Sequence, residues 1–342
     1  MSEPILCVEG LGVTFHTQRG PVRAVDGVSL QVSPGEVLGL VGESGSGKSV
    51  TLRAIGRLLH DDATVTGGVR WRGEDLLTAR PDQLRRVRGA GIGMVFQEPM
   101  AALNPVLSIG LQIEEALAAH TTLGRPQRRA RAMELLGLVG IPSPAQRLRQ
   151  YTHEFSGGMR QRAMIAIALA AEPKLLLADE PTTALDVTIQ DQILKLLLRL
   201  VDELGMALLL VTHDLGVIAE TCDRVAVMYA GRICEMGPVA ALFAHPRHAY
   251  TDALLRSMPG EGPARAPLVT IPGQPPRLNR PVPGCAFAPR CAYVQPRCPE
   301  QRPALDERPE GQRSACFAAM RLPARAAGPL PGKPAPGKPA PA

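Results

Sequence analysis

The residues Gly42-Glu43-Ser44-Gly45-Ser46-Gly47-Lys48-Ser49 carry the most specific chemistry in the sequence. Glycines at 42, 45 and 47 let backbone N–H groups turn inward around phosphate oxygens, with Ser44 and Ser46 between them. A helix starting at the end of this loop adds its partial positive charge. Lys48 is then placed to reach β- and γ-phosphates, and Ser49 to give its hydroxyl to Mg²⁺. A Gly-rich turn with no ligand is the bland alternative. The context argues against it: a short apolar run, Val37 to Val41, precedes the loop, and Leu52, Ile55 and Leu59 follow on one helical face. Strand, glycine loop and helix in that order are what a P-loop requires.

Two further apolar runs end in groups that suit phosphate chemistry. Lys174 to Ala178 leads into Asp179-Glu180-Pro181. In a P-loop protein an acidic residue closing a neighbouring buried strand holds Mg²⁺ and its waters, which is the role expected of Asp179. Glu180, one residue further out, is expected to polarise the water that attacks the γ-phosphate. Taken alone, two carboxylates at a strand end are as often solvated as functional, so the P-loop decides. A third run, Met206 to Val211, ends in Thr212-His213-Asp214. Ligands of open parallel sheets sit at such carboxyl ends, and His213 is expected to sense the γ-phosphate.

These groups need a scaffold, and 342 residues are ample for one large domain with an appendage. With 45% apolar and 20% charged residues the chain is too hydrophobic for disorder. The apolar stretch Ala163 to Ala171 is bounded by Arg162 and Glu172, far short of the roughly 20 residues of a membrane helix. Met1 to Gly10 carries Glu3 and Glu9 and no basic-then-apolar pattern, so no secretion signal is read and a cytoplasmic location is expected. Twenty of the 33 prolines follow Ser257, which places a boundary near residue 258. Residues 321–342 hold Arg321, Arg325, Lys333 and Lys338, no acidic residue and seven prolines, which reads as a disordered tail. That tail carries four of the six net positive charges, so the basic pI is no argument for nucleic-acid binding.

Phe155-Ser156-Gly157-Gly158-Met159 adds a helix N-terminus able to present N–H groups to a phosphate. This segment resembles the signature motif of the ATP-binding cassette (ABC) proteins, with Phe155 in place of the usual Leu. The resemblance covers residues 3 to about 320. It implies an α/β fold: a RecA-like parallel-sheet core with an antiparallel β-subdomain, and a helical subdomain over about 98–172. Residues 1–257 would be the ATPase domain and 258–320 a small Cys-containing C-terminal domain. It also implies that Ser156, Gly157 and Gly158 serve the ATP held by a partner's P-loop. Gln97 matches the Q-loop, which contacts Mg²⁺ and the attacking water. Ala184-Leu185-Asp186 looks like the D-loop, His213 like the switch histidine, and Phe15 like the adenine-stacking aromatic, with an ordinary strand residue as its alternative. Amphipathic helices are expected near Ile109 to Ala119 and Arg128 to Val139.

Closer still is the resemblance to the oligopeptide/dipeptide importer ATPases. It rests on Gln97 to Pro105, on Tyr229-Ala230-Gly231 and on His245 to Thr251. It implies an ATPase with ATP and Mg²⁺ that couples hydrolysis to peptide uptake; nickel, glutathione or another peptide-like solute is the alternative cargo. Implied partners are a second, non-identical ABC ATPase, two transmembrane permease subunits and an extracytoplasmic solute-binding protein. The implied location is peripheral, on the cytoplasmic face of the inner membrane. A soluble ABC ATPase acting on DNA or ribosomes is disfavoured by the single P-loop and the lack of a heptad run, and no nucleic acid is expected.

Cys285, Cys291, Cys298 and Cys316 crowd into 32 residues and read first as a metal or cluster site. Their C-x5-C-x6-C-x17-C spacing lacks the paired C-x2-C of zinc ribbons. Four thiolates suit iron–sulfur or zinc, and incidental thiols remain a third reading. The spacing resembles the tetrad of the dipeptide-importer subunits, which implies a [4Fe–4S] cluster that staples the C-terminal region. Cys7, Cys222 and Cys234 read as packing residues.

Overall fold

Runs such as Val37–Val41 and Leu175–Ala178 are too short for a helix that could bury them and apolar on both faces, which suits a parallel strand covered on each side. In the computed structural model, which describes residues 3–183, 185–258 and 270–325, they are strands. In chain order the strands are β1 (Leu6–Thr17), β2 (Gly20–Val32), β3 (Val37–Val41), β4 (Ala63–Trp71), β5 (Glu74–Asp75) and β6 (Ile92–Val95). Then come β7 (Leu175–Asp179), β8 (Ala207–Thr212), β9 (Arg224–Tyr229), β10 (Arg232–Pro238), β11 (Asp306–Glu307) and β12 (Arg313–Ser314). The helices are α1 (Lys48–Ile55), α2 (Pro81–Val87), α3 (Pro99–Ala102), α4 (Ile109–His120), α5 (Arg125–Leu138) and α6 (Pro144–Arg147). They continue as α7 (Gly157–Leu169), α8 (Val187–Leu204), α9 (Leu215–Thr221), α10 (Val239–Ala244) and α11 (Ala249–Arg256).

The described residues form two compact units that interleave along the chain. The first takes its residues from Met1–Leu6, Val32–Glu36 and Trp71–Val211. Its β6, β7 and β8 run parallel, in register Ile92 with Leu175 and Asp179 with Val211. Every residue of β7 and β8 is buried, as two covered faces require. Helices α3 to α7 fill the stretch expected to be helical, and α8 buries Ile193, Leu196, Leu197 and Leu200 on one face before Gly205 ends it in a left-handed cap. Helix α5 begins at Arg125, three residues before the expected Arg128. Pro126 opens its first turn and Gln127 accepts a hydrogen bond from the Gly124 N–H at 2.8 Å.

The second unit takes its residues from Cys7–Gln31, Val37–Arg70 and Thr212–Ala342. Strand β3 pairs parallel with β9, and β9 pairs antiparallel with β10. The C-terminal region joins this sheet instead of standing apart: β12 pairs antiparallel with β10, and β11 with β12. The described residues on either side of 258 therefore belong to one compact unit. Most of the 321–342 stretch, residues 326–342, lies outside the described residues, as do 259–269. Among the described residues no helix is long and apolar enough to cross a membrane.

Candidate functional site

In the second unit, β3 ends in the glycine loop and α1 begins at Lys48 with Gly47 as its N-cap. Gly42 and Gly47 have φ of 158° and 105°, a region L side chains avoid. A Cβ at Gly42 would also overlap the Met228 carbonyl oxygen. Lys48 is 5% exposed, and its ammonium donates to the carbonyls of Gly42 at 2.7 Å and Glu43 at 3.0 Å. Ser46 is 4% exposed, and its hydroxyl is buried with no hydrogen-bond partner among the described residues. A buried hydroxyl at the N-terminus of α1 suits an anionic oxygen.

Glu43 is the residue that sequence reasoning passed over. Its carboxylate accepts from Arg290 Nη1 and Nη2 at 2.8 and 3.0 Å, and its N–H donates to Tyr250 Oη at 2.8 Å. Tyr250 is fully buried and packs against Tyr229 and Phe287, with ring centroids 4.5 and 5.3 Å away. Burial pushes its phenol far above the usual range, so it serves as a neutral acceptor. Beneath this cluster, Glu235 is fully buried and accepts from the N–H groups of Arg247 at 2.6 Å and His248 at 2.9 Å. Burial raises its pKa to about 7 and lowers that of buried His248 to about 4. The segments Tyr229–Gly231 and His245–Thr251, singled out in the sequence as a pattern, are thus the packing layer under the glycine loop.

In the first unit, β7 delivers Asp179, fully buried, and Glu180, half-buried. Glu180 has φ of 44°, a strained left-handed backbone for a non-glycine residue, and its N–H donates to the Val211 carbonyl at 3.0 Å. Thr183 Oγ1 donates to Glu180 Oε2 at 2.8 Å, and Gln97 Nε2 reaches the same oxygen at 3.4 Å. The fold therefore brings Gln97 and Glu180 together from positions 83 apart in the chain. The two donors fix the direction of this carboxylate, which a general base needs.

The remaining motif residues take definite places. Ser156 caps α7, its hydroxyl accepting from the Met159 N–H at 3.4 Å, while Ser156 and Gly157 are exposed and Phe155 is buried beneath them. The Phe for Leu change therefore falls on the anchoring side. Asp186 caps α8 by accepting from the Ile189 N–H at 2.9 Å, and Ala184 lies outside the described residues. Phe15 is a half-buried residue of β1 and has no ring contact among those described. His213 is exposed just after β8.

Cys285, Cys291, Cys298 and Cys316 line one small pocket with Phe287, Tyr293 and Phe317. Backbone N–H groups of Tyr293 and Gln295 donate to Cys291 Sγ and Cys298 Sγ, each at 3.3 Å. Burial raises the thiols of Cys285, Cys291 and Cys316, with charge on neighbouring cysteines adding to it. The expected tetrad thus converges, with N–H donors to sulfur as a cluster site has. It is not a ready-formed ligand set: among the described residues no three Cys, His, Asp or Glu side chains are arranged to hold a metal ion. Protonated sulfurs have no mutual attraction to draw them to ligating distance. Cys222 and Cys234 are buried, and Cys7 is half-exposed on β1.

Comparison with known proteins gives these sites a family. Residues 25–183 match the ABC transporter family, and residues 234–298 match the oligopeptide/dipeptide transporter C-terminal region. A peptide import ATP-binding protein of Brucella abortus is 51% identical over 304 residues, covering 88% of this chain and 91% of that protein. A peptide ABC transporter ATP-binding protein of Sinorhizobium fredii is 50% identical over 321 residues, covering 93% and 96%. Among solved structures, a dimeric ATP-binding cassette in a post-hydrolysis state with ADP and phosphate aligns with a TM-score of 0.62 at 30% identity. It covers 68% of this chain and 98% of that one.

Proposed function

We propose, from the premise that this chain belongs to the ATP-binding subunits of ABC transporters, that it drives import of peptides across a membrane through a permease. The chain is an ATPase of that family. What supports the peptide cargo is its likeness to the two peptide importers and the matched C-terminal region.

The observation that carries the mechanism is the Glu180 carboxylate, fixed at one oxygen by Thr183 and Gln97. Gly42, Ser44, Gly45, Ser46, Gly47 and Lys48 hold the phosphates of ATP, and Phe15 stacks on adenine. Ser49, Gln97 and Asp179 would hold Mg²⁺, an oxygen-donor set that suits this hard cation, which would supply neutralisation of phosphate charge. Glu180 takes the proton of the attacking water as its oxygen bonds to the γ-phosphorus. The bond to the β–γ bridging oxygen breaks, giving ADP and phosphate. His213 steadies the γ-phosphate oxygens. In an ATP-bound dimer, Ser156, Gly157 and Gly158 serve the partner's nucleotide and Asp186 borders it. The subunit docks at the cytoplasmic face with a second ABC ATPase, two permeases and a solute-binding protein.

The C-terminal tetrad is read as holding a [4Fe–4S] cluster, with Cys285, Cys291, Cys298 and Cys316 as the four thiolate donors. Anaerobically purified protein is expected to carry iron and absorb near 400 nm; protein without either overturns that reading. For the transporter, affinity purification from gently solubilised native membranes is expected to retain two multi-span permeases, a second ABC ATPase and a solute-binding protein. Retention of ribosomal or DNA-repair proteins with no permease overturns it.

A further inference from the structure

Arg290 lies 247 residues from Glu43 in the chain, and no motif includes it. Its side chain is only 6% exposed. All five of its N–H donor positions are occupied. Nη1 donates to Glu43 and, at 3.2 Å, to Tyr229 Oη; Nη2 donates to Glu43 and to the Ile271 carbonyl at 3.4 Å; Nε donates to the Pro272 carbonyl at 2.8 Å. The guanidinium also lies over the rings of Tyr229 and Phe287, 5.9 and 5.8 Å from their centroids. This is a forked, mostly dehydrated ion pair, which is strong in both geometry and energy.

At its other end Arg290 belongs to the cysteine loop. It closes the single turn Ala288–Arg290, which starts from Cys285, whose carbonyl accepts from the Ala288 N–H at 3.0 Å. The turn ends on Cys291, whose N–H donates to the Ala288 carbonyl at 3.3 Å. Two of the four thiols therefore flank the residue that grips the phosphate loop. On the loop side, every polar group of Glu43 is engaged: the carboxylate by Arg290, the N–H by Tyr250, the carbonyl by Lys48. Lys48 must leave that carbonyl to reach a phosphate. Without Arg290, nothing on the Glu43 side chain would keep the loop in shape when it does so.

We propose that Arg290 is a positioning residue for ATP binding, and that the four-cysteine cluster sets ATP affinity through it. The proposal rests on reading Gly42–Ser49 as the ATP loop. A loop held in its bound shape has less freedom to lose on binding, so ATP binds it more tightly. Arg290 touches neither ATP nor water in this scheme, so its effect falls on affinity and not on turnover. Cys316, 26 residues further along, shares a pocket with Cys285 and Cys291, the thiols that flank Arg290.

The test uses the full chain, Mg·ATP, and a fluorescent ATP analogue for equilibrium binding. Arg290→Ala is expected to raise KM and the analogue's Kd about ten-fold, the worth of roughly one lost charged hydrogen bond, with kcat within about two-fold. Arg290→Lys, a charge without the fork, is expected to recover part of the loss. Cys316→Ala is expected to raise Kd several-fold in the parent and to add nothing in the Arg290→Ala background. An unchanged Kd in Arg290→Ala, or a Cys316→Ala effect that multiplies undiminished in that background, overturns the proposal. If Arg290→Ala fails to fold, Glu43→Gln and Arg290→Lys carry the same readout, and an unchanged Kd in both overturns it. Lys48→Ala separates the two levels: retained ATP binding there would overturn the ATP-loop reading itself, whereas loss there with an unchanged Arg290→Ala overturns only the positioning role.

Discussion

Glu43 and Glu180 are both glutamates at the carboxyl end of a buried strand, and the chain treats them in opposite ways. Glu43 follows β3 and is held at its carboxylate by a charged fork, with its N–H and carbonyl also engaged. Glu180 follows β7, sits on a strained left-handed backbone, and its carboxylate meets the neutral donors of Thr183 and Gln97. A carboxylate that accepts both prongs of a guanidinium anchors the backbone that carries it. The donors from Thr183 and Gln97 set the direction of the Glu180 carboxylate. The lesson is that residue type and strand-end position do not assign a role; what each carboxylate holds in place does.

The sharpest way to break this comparison is the same substitution at each position. Glu180→Gln keeps shape and removes the base, so kcat is expected to fall roughly 10³-fold with KM changed little. Glu43→Gln is expected to do the reverse, raising KM for ATP with kcat nearly intact. Steady-state kinetics on the two purified variants decide it. A large kcat loss from Glu43→Gln, or near-normal kcat in Glu180→Gln, would collapse the distinction.

Next in size is Gly42→Ala. The added methyl meets the Met228 carbonyl oxygen of the neighbouring strand, at a φ of 158° that alanine does not favour. A loss of more than about 2 kcal/mol of stability is expected, together with loss of ATP binding. Thermal unfolding with and without Mg·ATP measures both. A folded variant that binds ATP normally would show that the loop is softer than its contacts with Arg290, Tyr250 and Met228 imply.

How much of this was legible depended on distance along the chain. The glycine loop is contiguous, and its flanking strand and helix lie within a few residues, so motif and context were read together. Strands β3, β7 and β8 were legible because an apolar run without helical period has few other uses. The signature helix was legible from Ser156 and its glycines. Helix α5 was read three residues late although Gly124, Pro126 and Gln127 spell a start, because the apolar period begins further on. The Arg290–Glu43 fork was not legible: arginine is common, and no local pattern marks a partner 247 residues away. Nor was the pairing of β12 with β10, since two-residue strands are too short to show a period.

A third prediction concerns the layer under the phosphate loop. Glu235 has its folded pKa raised from 4.5 to about 7, so its contribution to stability is full below pH 4.5 and is lost as pH rises toward 7. His248 has its folded pKa lowered from 6.5 to about 4, so its contribution is full above pH 6.5 and is lost as pH falls toward 4. Each slope is about 1.4 kcal/mol per pH unit, with opposite sign, so between pH 4.5 and 6.5 the two cancel. Glu235→Gln is expected to add a rising slope to the stability-against-pH curve in that window, and His248→Gln a falling one. Urea unfolding at half-unit pH steps reads the difference from the parent chain. Parallel curves for parent and variants would mean that neither group is held in the protonation state its burial demands.

The smallest expected effect returns to Glu180. Thr183→Val removes the 2.8 Å hydroxyl donor and nearly preserves shape. Of these two donors the carboxylate then keeps the longer one, Gln97 at 3.4 Å. One neutral hydrogen bond is worth about 1 kcal/mol, so kcat is expected to fall about five-fold, with KM for ATP unmoved. The pairing of this result with Arg290→Ala is what sharpens the comparison. Cutting a neutral donor from Glu180 should cost rate alone, while cutting the charged donor from Glu43 should cost affinity alone. If Thr183→Val instead raised KM, its hydroxyl would be acting on the bound nucleotide and not on the base. The direction of Glu180 would then rest on its left-handed backbone more than on the Thr183 hydrogen bond.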